Sequence, residues 1–418
     1  MNNLHTSCLR AVAALSLLLL SVTKTFAAEP TDPKKIDAQV KAITKSAILI
    51  DTHNDIPSFT IDGTDIGAAP KNHTDIPRLR QGGVGAVFFS VYVDAKYVNG
   101  NHAANRALQM MDTVYHDIIN RYPNEFMLAL SADDIEKAHH KHKIAALMGI
   151  EGGHAIEDSP RLLRDYYKLG VRYMTLTHFN TNNWADSSGD IDDPAVQHHN
   201  GLTPFGKDVV REMNRLGMMV DISHVADKTF YDALETSQAP IIASHSACRA
   251  VTNVPRNMTD DMIVALAKKG GVIQINMYCS FISQKSADAV ERLHLRERSQ
   301  ELEKQYASDP AKLKSELDAL AEEEKRAQVR ATLADVVAHI DHARQVAGID
   351  AIGIGSDFDG ITCAPEGLDD VSKFPNLTRA LLEKGYSRSD IKKIYGGNTL
   401  RVMRQVQKVA AQLQQGSH

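Results

Sequence analysis

From Ile48 onward, short runs of apolar residues alternate with stretches in which apolar positions recur every three or four residues. A run of four to eight apolar residues bounded by turn formers reads as a strand buried on both faces, and the intervening periodicity reads as helices with one packed face. Strands are predicted at Ala47–Asp51, Gly85–Val93, Ala145–Glu151, Val171–His178, Met218–His224, Pro240–Ser246, Val272–Met277 and Ala351–Asp357. A weaker ninth run, Phe126–Leu130, is read as accessory, because counting it in would disturb the spacing of the other units.

The helices between these runs are well punctuated. Thr203 is placed as an N-cap with Pro204 at the first helical position, an apolar stripe of Phe205, Val209, Met213 and Leu216 follows, and Gly217 ends it. A second runs from Thr259 through Ile263 and Leu266 to Gly270. Eight strand–helix units in one chain favour a (β/α)8 TIM-like barrel over an open doubly wound sheet.

One segment breaks the rhythm. Residues 286–330 are dense in Glu, Lys, Arg, Leu and Ala and are interrupted by Ser308-Asp309-Pro310, which predicts two antiparallel helices inserted between the seventh and eighth strands. The segment is either a solvated excursion or a lid or subunit contact.

The N-terminus stands apart. Arg10, the apolar run Ala11–Val22 and Thr25-Phe26-Ala27 form the pattern of a secretory signal peptide over residues 1–27, leaving residues 28–418 as one catalytic domain. The run is shorter than the roughly 20 residues of a membrane-spanning helix, so the expectation is an exported, secreted or periplasmic protein without stable membrane insertion. Removing the leader leaves 45 basic against 52 acidic residues, a net charge of about −7, which argues against nucleic acid as a partner. Cys248, Cys279 and Cys363 are too few and too widely spaced for a disulfide framework, though one bridge remains open to them.

Chemistry collects where the expected strands end. The first delivers His53 and Asp55, the third Glu151, the fourth His178, the fifth His224, the sixth His245 and the eighth Asp357. In a barrel these positions share one rim, the face on which such folds place their sites. The two-residue spacing of His53 and Asp55 turns both to one side of an extended chain. Imidazoles with carboxylates suit zinc or a similar divalent ion, and this set exceeds what one ion needs, so two are expected, with Glu151 able to bridge them. Arg256 is a candidate clamp for a substrate carboxylate, with a surface ion pair as the rival role; Tyr278 is similarly placed. Gly152, Gly153 and Gly360 would let backbone approach a ligand closely. The clusters His139-His140-His142 and His198-His199 read as solvated surface.

These residues resemble those of the renal (membrane) dipeptidases, zinc peptidases built on a (β/α)8-type barrel. The matching stretches are DTHND at Asp51, GIEGGHAI at Gly149, YMTLTH at Tyr173, NNWAD at Asn182, DISH at Asp221, SHS at Ser244, NVPRN at Asn253 and GIGSDFDG at Gly353, in order from about Ala47 to the end. The resemblance implies one zinc on His53 and Asp55, a second on His224 and His245, and Glu151 bridging both. It implies that His178 polarises the scissile carbonyl or its oxyanion, that Asp357 carries the proton, that Arg256 holds the dipeptide's carboxylate, and that Tyr278 touches the substrate. It also suggests a homodimer. The hydrophobic tail that carries a lipid anchor in animal members has no counterpart in QVQKVAAQLQQGSH. The resulting expectation is hydrolysis of small dipeptides, including those ending in a D-residue. The rivals are hydrolysis of another amide or a lactam in the same site, and a catalytically silent binder of a peptide metabolite.

Overall fold

The computed structural model describes residues 33–416; the expected leader lies outside the described residues. Nine strands run parallel in one sheet: β1 Leu49–Asn54, β2 Val84–Tyr92, β3 Phe126–Leu128, β4 Ile144–Glu151, β5 Val171–Thr175, β6 Met219–Asp221, β7 Ile242–Ser246, β8 Val272–Ile275 and β9 Ile352–Ile354. Neighbours follow in the order β2, β1, β9, β8, β7, β6, β5, β4, and a ladder from Ala86 opposite Ala145 to Tyr92 opposite Glu151 joins β2 back to β4. Eight strands therefore close into a barrel with helices around it. β3 stays outside the ring, paired only to the start of β4, as its weak apolar run led one to expect.

The near-continuous apolar strands are explained by burial on both faces. Along β2 and β4, Val87, Phe89, Ala146 and Met148 pack outward with the helices, while Ala86, Phe88, Ala145 and Leu147 belong to a second cluster with Ile50, Tyr173 and Met219. The expected helix caps form: Thr203 accepts from the Gly206 amide ahead of Pro204–Leu216, Gly217 closes that helix at φ 88°, and Thr259 caps Asp260–Lys268.

Several ladders are shorter than the apolar runs. β5, β6 and β9 stop at Thr175, Asp221 and Ile354, so His178, His224 and Asp357 lie on the loops beyond the strands rather than at their ends. His224 and Asp357 adopt φ of 66° and 63°, a left-handed turn that no strand can continue through.

The insertion after β8 contains three helices rather than two: Gln284–Glu291, Leu295–Gln305 and Pro310–Ala327. Asp309 caps the last, and Arg298 pairs with Glu323 across the two longer ones. Cys279, just past β8, is bridged to Cys363, just past β9, while Cys248 is free and buried. No helix among the described residues is long and apolar enough to cross a membrane.

Candidate metal centre

Donor atoms from four strands and their following loops converge on Glu151. Its Oε2 lies 3.3 Å from His53 Nε2, and its Oε1 lies 3.0 Å from His224 Nε2 and 3.2 Å from His245 Nε2. Asp55 Oδ2 stands 3.2 Å from His53 Nε2. One carboxylate thus divides its oxygens between a His–Asp pair and a His–His pair. Gly360 makes room for this: a Cβ there would come within 2.5 Å of Asp55 Oδ2 and 2.6 Å of Asp357 Oδ1.

Hydrogen bonds behind the ring nitrogens decide what those nitrogens offer. Tyr173 donates its hydroxyl to Thr52 O (3.0 Å), so at 2.8 Å from His53 Nδ1 it is an acceptor, and the proton of His53 belongs on Nδ1. Ser244 Oγ donates to Asp221 Oδ2 and lies 2.8 Å from His245 Nδ1, which assigns the same tautomer to His245. Both Nε2 lone pairs then face the cluster, the arrangement that prepares an imidazole to bind a cation. His224 Nε2 and His245 Nε2 are 2.9 Å apart, and His53 Nε2 and Asp55 Oδ2 are buried without hydrogen-bond partners. A set of buried, unpartnered, electron-rich donors fits divalent cations.

The electrostatics divide: burial lowers His53, but Tyr173, Glu151 and Asp55 outweigh it and raise the imidazole well above its ordinary range, so a cation there must displace a proton, while the other donors are ready as they stand. Burial opposes ionisation of Glu151, but His53 and His178 beside it, with the rings of His224 and His245 at 3.0 and 3.2 Å, hold its carboxyl well below the usual range. Burial pushes the imidazoles of His224 and His245 well down, so they are neutral. Burial also lifts the Asp357 carboxyl to about 8, against the pull of His53 and with help from Asp55 and Glu151. Asp357 sits with His53 and Asp55, and Asn276 donates to its Oδ2 at 2.8 Å.

His178 stands on the far side, its Nε2 3.8 Å from Glu151 Oε1 and its ring packed against Tyr92, Phe179 and His224. Arg256 is only 7 % exposed, which removes the surface ion-pair role. It donates to His245 O at 2.6 Å, lies over the Phe281 ring, and keeps Nε unpartnered. Tyr278 donates to Glu324 on the inserted helix and accepts from Gln328.

A cavity of about 460 Å³ opens above the cluster, lined among others by Asp55, Glu151, His178, Tyr278 and Asp357. A second of about 500 Å³, reaching Arg256, shares Phe179 and Phe281 with it. The other histidines lie apart. His139 and His140 are on the Ala132–His140 helix. His198 and His199 are not solvated as expected but fold inward, His199 bonding Asn182 O at 2.8 Å and donating its amide to Asp186.

The sequence profile of membrane dipeptidases, peptidase family M19, matches residues 37–417. The chain belongs to that family. It is a hydrolase of peptide bonds, of the metallopeptidase class. Dipeptidase verJ of Clonostachys rogersoniana is 37 % identical over 382 residues, spanning 88 % of this chain and 86 % of the relative. An uncharacterized dipeptidase, C965.12, of Schizosaccharomyces pombe is 35 % identical over 392 residues, spanning 89 % and 84 %. The crystal structure of the probable dipeptidase PvdM from Pseudomonas aeruginosa superposes with a TM-score of 0.79 at 25 % identity, over 91 % of this chain and all of that one. A metallopeptidase from Rhodobacter sphaeroides, solved with a phosphinate mimic of L-Ala-D-Ala, shares the fold at a TM-score of 0.69 and 23 % identity, over 86 % of this chain and all of that one.

Within this M19 chain, sequence reasoning passed over the supporting residues Tyr173, Asp221, Ser244, Asn276 and Glu324. Three of them lie in stretches already singled out, YMTLTH, DISH and SHS. Their signal was a polar group inside a buried strand, which needs a partner.

Proposed function

We propose that this chain is an exported dizinc dipeptidase that cleaves small dipeptides, with one zinc held by His53 and Asp55, the other by His224 and His245, and Glu151 shared. The observation that carries this reading is the division of the Glu151 oxygens between two donor pairs. When bound, the two ions supply Lewis acidity and a nucleophile at neutral pH. The chain's own residues supply the rest. Asp357, whose carboxyl titrates near 8, takes a proton at Oδ1 and returns it to the leaving amine, while Asn276 fixes Oδ2. His178 stabilises charge developing on the carbonyl oxygen. Arg256, buried and with Nε free, pairs with the terminal carboxylate. A site that measures the distance from that carboxylate to the metal pair rejects longer peptides. The Cys279–Cys363 bridge supports an oxidising, extracytoplasmic setting.

The test is zinc-loaded protein assayed on dipeptides with L- and D-residues at the C-terminal position, on tripeptides and on a β-lactam, with metal counted by elemental analysis. Two zinc per chain, hydrolysis of dipeptides over tripeptides and loss of activity on chelation are expected. Full activity with one ion, or equal turnover of tripeptides, would overturn the reading.

A further inference from the structure

Asp221 ends β6, is fully buried, and gives no donor atom to the cluster. Its carboxylate nevertheless meets both residues that precede the second donor pair. Oδ1 accepts the Ser223 amide at 3.1 Å and the Ser244 amide at 2.7 Å, and the next residues in the chain are His224 and His245. Oδ2 accepts from Ser244 Oγ at 2.5 Å and from Thr175 Oγ1 at 2.6 Å. Donors from β5, from β7 and from the loop after β6 thus converge on one carboxylate, which fixes the spacing of the two segments that carry the histidines.

The two imidazoles are held differently. The amide of His245 donates to Ser223 Oγ at 3.0 Å, and its Nδ1 lies 2.8 Å from Ser244 Oγ. Ser244 has one hydroxyl proton and Asp221 takes it, so toward the ring the serine can only accept. His224 Nδ1 is buried without a partner, and the Nε2 atoms of the two rings are 2.9 Å apart. The order of protons in this pair therefore rests on one chain of hydrogen bonds, from His245 Nδ1 to Ser244 and from Ser244 to Asp221.

We propose that Asp221 is a positioning residue for the pair of His224 and His245, acting through Ser244 to keep the proton of His245 on Nδ1 and its Nε2 lone pair toward the cation. This rests on the reading of that pair as the donors of one ion. In Asp221→Asn the amide oxygen can still accept from both backbone amides, but the amide nitrogen donates where Oδ2 accepts. Ser244 Oγ would then receive that hydrogen bond and send its own proton to the nearest remaining acceptor, His245 Nδ1 at 2.8 Å rather than Ser223 Oγ at 3.4 Å. The proton of His245 would move to Nε2, 3.2 Å from Glu151 Oε1 and in the place of the cation. Ser244→Ala removes the acceptor without reversing the chain, so it is the milder change although it deletes the atom that touches the ring.

The test is a chelator titration of zinc-loaded full-length protein, with imidazole nitrogen NMR of the metal-stripped protein made with isotope-labelled histidine and assigned with His245→Gln. In Asp221→Asn one ion should be lost about 100-fold more readily and the other as in the wild type, and in Ser244→Ala the same ion should loosen about tenfold. The NMR should find the proton of His245 on Nδ1 in the wild type and on Nε2 in Asp221→Asn. Asp51→Asn is the control: Asp51 is equally buried and accepts the amide and hydroxyl of Ser356 at 2.8 and 2.6 Å, so its loss should leave the His245 proton on Nδ1. A wild-type proton on Nε2, an Asp221→Asn variant that keeps both ions as tightly, or equal loosening of the two would overturn the proposal. If the wild type binds no second ion, the dizinc reading fails instead and the NMR decides: a proton that moves in Asp221→Asn upholds the positioning role, and one that stays ends it. Should Asp221→Asn not fold, Ser244→Ala decides, a weaker ion upholding the role and an unchanged one ending it.

Discussion

In the proposed reading, Asp357 and Tyr173 divide the work of single residues between chemistry and its support. Asp357 is a carboxyl that burial and the neighbouring Asp55 and Glu151 lift to about 8, where a group can both accept and donate a proton near neutral pH. Asp357→Asn keeps the shape but removes that exchange, so turnover should fall roughly 10²- to 10⁴-fold while elemental analysis finds the metal content of the wild type. Full activity in the variant would end the proton-carrier role. Tyr173 does not line the cavity, yet its hydroxyl fixes the His53 tautomer, and its ring lies where a Cβ at Gly149 would be. Tyr173→Phe should weaken metal binding about 10- to 100-fold in a competition titration, with kcat restored at saturating zinc. The donors were legible because a His or Asp at the close of an apolar run has few structural reasons to be there. Tyr173 and Ser244 were not, since a tyrosine or serine in a buried strand looks like ordinary filling until its partner from a distant strand is known.

At the scale of elements, apolar periodicity located all eight barrel strands and the accessory β3, but overestimated where β5, β6, β8 and β9 end. Leu176 and Ile222, just past the regular pairing, are still buried beneath the rim loops and their amides still bond Asp221 O and Ile242 O, so the apolar run outlasts the strand by these residues. The long loop after β5 was also illegible, because Asp186, Asp190 and Asn182 order it through backbone amides and such bonds leave no periodic trace. The Leu333–Ala347 helix shows a similar polar fastening. Its His339 is fully buried, lies 3.0 Å from the Cys248 amide as acceptor through Nδ1 and 3.2 Å from Ile282 O through Nε2, and so ties the loop after β7 and the loop after β8 to one helix. Burial depresses its pKa to about 4 from an ordinary 6.5. A depressed folded-state pKa means that the unfolded chain takes the proton first. The stabilisation is therefore complete above 6.5 and is lost as pH falls through the window down to 4, to a total of about 3 kcal/mol. Urea unfolding of the wild type should accordingly weaken between pH 7 and 5 by more than that of His339→Gln, and parallel losses in the two would refute the assignment.

The whole molecule separates the barrel that carries the donor set from an inserted cover whose Pro310–Ala327 helix brings Glu324 to the cavity. His53, Asp55, Glu151, His224 and His245 all precede Cys279, whereas the inserted helices, Glu324 and Asp359 lie inside the loop of 84 residues that the Cys279–Cys363 bridge closes. The bridge also abuts the residues that seat the insertion: Tyr278 precedes Cys279, Thr362 precedes Cys363, and both hydrogen-bond Glu324. The sequence left a single bridge open without identifying its cysteines, because the pairing depends on β8 and β9 being neighbours in the ring. Closing a loop this long restricts the unfolded chain by up to about 4 kcal/mol, so a Cys279→Ser/Cys363→Ser variant should unfold at lower denaturant. Since no proposed ligand is inside the loop, the variant should keep its full metal content. Proteolytic nicking within residues 284–330 should accelerate, and KM should rise more than kcat falls, because the cover loosens while the metal pair does not. Loss of metal in step with the loss of stability would show instead that barrel and cover unfold as one unit, and that the bridge holds the centre itself.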